Sequence, residues 1–261
     1  MDLDALEMEI GALDEGRGAI GLDGFRVVEV TGPDAAAWLQ DLVTANVQVL
    51  EPGEAVRSLL LGPTGRIRAD LQVLRAPGGF LLVQALDQPI PIADLLAPYV
   101  LSSDVAMRDV SQPELVAVPR PGSWRFAARG EDLVPVGAEA VEAWRVRRGS
   151  ARFPTDLDEE SLPAEAGLDD EVTIDRTKGC YLGQESVAKV RNLGHPTRVI
   201  VSLRTDGPVR IGQAVLAGDV ETGLLTSVDV TGETIATLAR VRWDAREADL
   251  RTAGGVPLRR W

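Results

Sequence analysis

Lys178-Gly179-Cys180-Tyr181-Leu182-Gly183-Gln184-Glu185 holds the single cysteine of a 261-residue chain. One thiol closes no internal disulfide, and by itself it cannot supply the several sulfurs of a protein-only zinc or iron–sulfur site. Its chemistry is that of a lone nucleophile, a redox thiol, or one ligand of a shared metal centre. The neighbours favour reactivity. Lys178 stands two positions before the thiol, and Tyr181 to Val190 reads as a helix that begins just after it. A cation and a helix N-terminus both stabilise a thiolate. Gly179 and Gly183 let the backbone bend sharply or approach a ligand closely. The other reading, which composition alone favours, is a buried cysteine acting as a small hydrophobe.

On the N-terminal side, residues 1–20 read as a short helix and a loop, and Phe25 to Val30 as a strand. Thr31 is placed to cap a helix carrying Ala35, Trp38, Leu39, Leu42 and Val43 on one face, with Asp34 three residues after the cap. A meander follows: Val56 to Leu61, Ile67 to Leu74 and Phe80 to Ala85, separated by the turn signals Gly62-Pro63-Thr64-Gly65 and Pro77-Gly78-Gly79. Ile92 to Ala97 reads as a short helix, Val105 to Val110 and Leu115 to Val118 as strands, and Ala138 to Val146 as a helix. Pro119 to Gly137, rich in proline and glycine, is expected to be irregular. Beyond a linker at Asn192 to Pro196, strands at Thr197 to Leu203, Ala214 to Leu216, Leu224 to Val228 and Ile235 to Val241 suggest a small β-barrel.

The bulk properties narrow the function classes. No run approaches the roughly 20 apolar residues of a membrane span, and the acidic N-terminus lacks the layout of a signal peptide, so a cytoplasmic location is expected. A formal charge of -13 argues against direct nucleic-acid binding, because phosphate backbones demand clustered cations. With one cysteine and only His195 as histidine, no metal site built from this chain's own side chains is expected.

The octapeptide resembles the signature of the YgfZ family, folate-binding proteins linked to iron–sulfur proteins and tRNA modification, and relatives of the glycine-cleavage T-protein, an aminomethyltransferase. Other stretches agree: Arg145 to Gly149, Phe153 to Asp156 and Leu162 to Glu165 upstream, Gly194 and Arg198 downstream, and Val30 to Ala35 with Trp38 to Gln40 near the N-terminus. The resemblance implies an α+β, three-part fold in which an antiparallel-sheet domain with an inserted α+β unit and a small C-terminal β-barrel surround a central folate pocket. On that pattern residues 1–50 and 119–192 form a discontinuous folate-binding domain, 51–118 a ferredoxin-like insert, and 195–261 the barrel.

The resemblance also implies site residues. Cys180 at the mouth of the pocket, with Lys178, is the reactive pair. Glu165 matches a T-protein position associated with the pterin ring, where a carboxylate can accept two hydrogen bonds from an amidine edge. Asp70 stands where the T-protein shows paired aspartates; here the first of the pair is Ala69, which counts against aminomethyl transfer. Tyr181, Gln184 and Arg198 complete the expected cofactor contacts. Of the basic residues Arg145, Arg147, Arg148 and Arg152, one or two are expected at the pocket and the rest on the surface. The function implied is a tetrahydrofolate-binding accessory protein that supports assembly or repair of iron–sulfur enzymes, including those that modify tRNA. Its partners would be folate and iron–sulfur client or assembly proteins. The alternative is a folate-dependent aminomethyl- or methyltransferase of the T-protein type.

Overall fold

The computed structural model describes residues 2–101, 103–111 and 114–261. The helices are α1 (Leu3–Asp14), α2 (Ala35–Leu42), α3 (Ile92–Leu96), α4 (Ala138–Arg147) and α5 (Gln184–Leu193). The first strands are β1 (Gly18–Gly21), β2 (Phe25–Thr31), β3 (Ala55–Leu61), β4 (Ile67–Ala76), β5 (Gly79–Ala85) and β6 (Ala106–Asp109). Then come β7 (Leu115–Val118), β8 (Arg125–Ala128) and β9 (Val134–Pro135). The C-terminal strands are β10 (Arg198–Thr205), β11 (Ala214–Ala217), β12 (Val220–Asp229), β13 (Ile235–Arg242), β14 (Leu250–Thr252) and β15 (Pro257–Arg260).

The expected meander forms a five-stranded antiparallel sheet in the order β3-β4-β5-β2-β6. Strict alternation along β4 divides its residues between two environments. Ala69, Leu71 and Val73 enter a core with Trp38, Leu39 and Leu42 of α2 and with Ile92 and Leu96 of α3. Each fully buried large side chain there contributes about 1.5–3 kcal/mol relative to exposure. Asp70 and Gln72 point to the other face, which is left for the site. Because β2 lies inside this sheet, a division of the chain at residue 50 would cut β2 from its partners.

A second, four-stranded sheet runs β8-β7-β1-β9. Two of its strands lie within 119–137, so the irregular segment expected there is corrected: Phe126 and Ala127 of β8 are buried, and that burial outweighs the surrounding prolines and glycines. Six strands close the C-terminal barrel in the order β10-β13-β12-β11-β14-β15. Two local expectations also change. Thr31 ends β2 rather than capping α2; the N-cap is Asp34, whose carboxylate instead accepts from the Asp104 N–H at 2.8 Å. The helix expected from Tyr181 begins at Gln184, because Gly183 takes φ +85° and Tyr181 is buried in an apolar cluster. Among the described residues no helix is long and apolar enough to cross a membrane.

Candidate functional site

The free face of the five-stranded sheet is the floor of a cavity of about 370 Å³, within the size range of small-molecule sites. α4 forms one wall, and the segments around Trp124 and Phe153 close the rest. Its body is apolar and aromatic: Phe25, Val83, Trp124, Val141, Trp144 and Phe153. One end is polar. Arg57 stands opposite Gln72 across the β3–β4 ladder, with Asp70 diagonal to it. The Arg57 fork grips Asp70 bidentately, Nε to Oδ1 at 2.9 Å and Nη2 to Oδ2 at 2.5 Å, and also donates to the Ala151 carbonyl at 3.0 Å. The Gln88 side-chain amide pairs with the Asp70 backbone as a neighbouring strand would, accepting from its N–H at 3.0 Å and donating to its carbonyl at 2.6 Å.

A buried charge network ties this cavity to the barrel. Arg145 on α4 donates to Glu142 at 2.7 Å, to Asp156 at 2.7 Å, to the Ser150 carbonyl at 2.9 Å and to Ser227 Oγ at 2.8 Å. Asp156 in turn accepts from the hydroxyls of Thr226 and Ser227, each at 2.6 Å. Two consecutive strand residues reach one carboxylate because β12 carries a register shift between Leu225 and Ser227. Arg147 adds a second joint, donating to Asp229 of β12 at 2.6 Å and to Glu7 of α1. Arg148 pairs with Asp14 at the surface, while Arg145 and Arg152 line the cavity. The barrel therefore braces the wall of this cavity without lining it.

The octapeptide is pinned on both sides of an exposed thiol. Lys178 is buried, and its ammonium donates to the carbonyls of Val43 at 2.6 Å and Ala45 at 2.8 Å. Burial pushes its pKa down to about 8, with Asp175 and Asp41 only partly opposing. Burial tends to raise the Asp175 carboxyl, but hydrogen bonds from the Thr177 hydroxyl and from the Thr177 and Lys178 N–H groups hold it below the usual range. Tyr181 packs with Leu59, Ile67 and Phe153, and burial raises its phenol pKa. The Leu182 N–H donates to the Asp41 carbonyl at 3.1 Å. Gly183 then meets the β3–β4 turn so closely that a Cβ would stand 2.6 Å from the Gly62 carbonyl oxygen. A Cβ on Gly65 of that turn would equally strike Ser186 at 2.7 Å. Between these anchors Cys180 is exposed. Three residues separate it from Gln184, the first residue of α5, so the first turn of that helix does not follow directly on the thiol.

Of the residues expected as catalytic or cofactor contacts, Asp70 lines the cavity, and Arg145 and Arg152 of the basic cluster line it as well. Glu165 is buried but turned toward the barrel, where Arg240 holds it at 2.7 Å and the Leu162 N–H donates to its other oxygen at 3.2 Å. Gln184 opens α5, and Arg198 is exposed at the start of β10 opposite Arg242. Lys178, Cys180 and Tyr181 form a second locus, separated from the cavity by Phe153, which belongs to both surroundings. Sequence reasoning missed Arg57 and Gln72. The signal for both was the alternation of β3 and β4, which puts them on the face of Asp70. Among the described residues no group of three or more His, Cys, Asp and Glu side chains is placed to hold a metal ion.

An antiparallel α+β architecture with a closed six-stranded C-terminal barrel defines the fold of the glycine-cleavage T-protein. The structure superposes on the glycine cleavage system aminomethyltransferase T from Bartonella henselae with a TM-score of 0.79, at 17% sequence identity, covering 96% of this chain and 87% of that one. Residues 3–121 match the family model described as the GCVT N-terminal domain. Among curated proteins, the chain is similar to a putative chloroplastic transferase of Arabidopsis thaliana, at 22% identity over 84% of this chain and 63% of that protein. It is similar to a mitochondrial iron–sulfur cluster assembly factor IBA57 homolog of Pyricularia oryzae, at 26% identity over 68% of this chain and 54% of that protein. An aminomethyltransferase of Chromobacterium violaceum is 24% identical over 80% of this chain and 73% of its own length. The chain thus spans less than two thirds of the length of the first two relatives. The likeness to the T-protein is one of fold over nearly the whole chain, and the family match covers residues 3–121.

Proposed function

We propose that this chain is a tetrahydrofolate-binding accessory protein of the YgfZ type, which supports assembly or repair of iron–sulfur enzymes, tRNA-modifying ones included. A cytoplasmic site of action is part of the proposal. The observation that carries it is the cavity of about 370 Å³ with an aromatic body and a carboxylate–guanidinium end. This donor set fits a reduced folate: apolar walls for the bicyclic ring and the aminobenzoyl bridge, and polar groups at Asp70 and Gln72 for the ring's heteroatoms. Bound tetrahydrofolate would bring a carrier of one-carbon units. The chain's own residues bind and orient it: Trp124, Trp144 and Phe153 exclude water from its flat part, and Arg57 fixes the Asp70 carboxylate toward the cavity.

Cys180 serves a separate step on this reading. Its thiol is exposed, and its loop is held by Lys178 and Tyr181, so it meets a partner surface without local unfolding. A lone thiolate ligates a transferred cluster only together with sulfur from a client protein or a small thiol. Aminomethyl transfer is the weaker reading, because Ala69 replaces one aspartate of the usual pair and both oxygens of Asp70 are engaged by Arg57.

Titration calorimetry with tetrahydrofolate on the wild type, Asp70→Asn and Cys180→Ala tests the pocket. Micromolar binding that weakens in Asp70→Asn and persists in Cys180→Ala supports it; no binding to the wild type sinks it. The iron–sulfur role is read from cells lacking the gene. Activity of their iron–sulfur enzymes should return with the wild type and not with Cys180→Ala, and equal rescue by both would remove the thiol from the function.

A further inference from the structure

The exposure of the lining residues gives the cavity a direction. Gln72, Gln88, Trp144 and Phe153 are buried, whereas Leu86, Asp87, Arg120 and Gly122 are exposed, so the mouth lies between the segments 86–87 and 120–122. Inside, the charged groups are committed to one another: Arg57 to Asp70, and Arg145 to Glu142 and Asp156. Gln72 is different. It is 8% exposed, and its Oε1 accepts from the Trp124 N–H at 3.1 Å, while its Nε2 has no protein partner among the described residues. That leaves an amide donor at the cavity lining, free to meet a ligand acceptor.

The mouth shows the opposite pattern. Asp87 pairs with Arg152 at 2.6 Å, and Glu142 with the same guanidinium at 3.4 Å. Arg120 also lines the cavity, is exposed, and pairs with no carboxylate among the described residues. Apart from it, the mouth holds Arg152, already paired with Asp87, and Glu142, already held by Arg145, on a chain of formal charge -13. Such an edge offers an anionic tail no unpaired cation.

We infer that Arg120 is a specificity-determining residue: it selects ligands that enter ring-first, with an acceptor meeting Gln72 Nε2, and leave a carboxylate tail at the mouth. The inference rests on the folate reading proposed above and assigns the two ends of that ligand to named residues. The interior is a poor place for the tail, because Arg57 and Arg145 already face the carboxylates of Asp70, Glu142 and Asp156.

The test compares tetrahydrofolate with tetrahydropteroyl amide, which keeps the ring and bridge but lacks the glutamyl carboxylates, on the wild type, Arg120→Ala and Gln72→Leu. The wild type should prefer tetrahydrofolate about fivefold, the size of one well-placed exposed charge contact. Arg120→Ala should abolish that preference and leave the affinity for the amide within about twofold, with an unchanged melting temperature because the residue is exposed. Gln72→Leu should weaken both ligands by one common factor of about ten. A tail preference that survives Arg120→Ala, or an equal loss of both ligands in that variant, overturns the assignment. Equal binding of both ligands by the wild type overturns Arg120's role and leaves the folate pocket standing. Binding of neither ligand overturns the folate pocket, and this inference with it.

Discussion

The cavity and the octapeptide both bury a cation, and they do it in opposite ways. At the cavity, burial lowers the pKa of Arg57, but the charge and hydrogen bonds of Asp70 outweigh it and the net shift is upward. At the octapeptide, Lys178 meets carbonyl oxygens rather than a carboxylate, burial wins, and the pKa falls to about 8. Partner chemistry, not depth, sets the direction. The cavity is thereby a place of locked charge. The cysteine loop is held by a group that titrates near physiological pH.

The contrast can be broken most forcefully at the charge network. Asp156→Ala strips Arg145 of its most buried partner and takes the shared carboxylate acceptor from the Thr226 and Ser227 hydroxyls. It should cost about 3–5 kcal/mol in chemical denaturation, as loss of one member of a buried pair does. A loss under about 1 kcal/mol would mean that the barrel does not depend on the pairing.

Lys178→Met should cost less, about 1–3 kcal/mol, since it leaves the Val43 and Ala45 carbonyls without their donor. Its pH dependence sharpens the comparison. The folded pKa of about 8 lies below the ordinary value of 10.5, so the folded state releases the proton first. A depressed pKa contributes stability that is complete above pH 10.5 and lost as pH falls through about 8. The wild type should therefore gain on Lys178→Met as pH rises from about 8 to 10.5, in paired denaturation curves. A gap that is flat or narrows would show that Lys178 is not the titrating group.

Gly183→Ala comes next. The φ of +85° and the 2.6 Å approach to Gly62 together predict a loss of about 1–2 kcal/mol and a faster reaction of Cys180 with a thiol reagent as its loop loosens. Unchanged stability would mean that the two loops part easily. The smallest effect belongs to Cys180→Ala, expected to stay within about 0.5 kcal/mol because the side chain is exposed. The native wild type should react at this thiol without denaturant, and failure to react would remove the open loop from the argument.

What could be read from the sequence follows from how local each signal is. The three-stranded meander was visible because Gly62-Pro63-Thr64-Gly65 and Pro77-Gly78-Gly79 are turns in their own right, whatever surrounds them. The strands β1, β8, β9, β14 and β15 were not: each is no longer than four residues, β1 and β9 pair with each other across more than a hundred residues, β14 and β15 also rely on β11 and β10, and β8 sits among prolines and glycines. At the site, Asp70 carried a motif, whereas Gln72 is an ordinary strand glutamine that matters only once Arg57 is across from it. Glu165 shows the reverse error. Its neighbours resemble a pterin-binding stretch, but the partner that claims it, Arg240, lies 75 residues downstream and left no local trace.

The joint between Gly183 and the Gly62–Gly65 turn works by the absence of side chains and contains no charge at the point of contact. Ionic strength therefore has nothing there to screen, whereas the exposed pair of Asp87 with Arg152 at the cavity mouth weakens as the Debye length shortens. Salt in the medium becomes a way to loosen one region while the other stays set: the mouth responds, and the platform under the thiol does not.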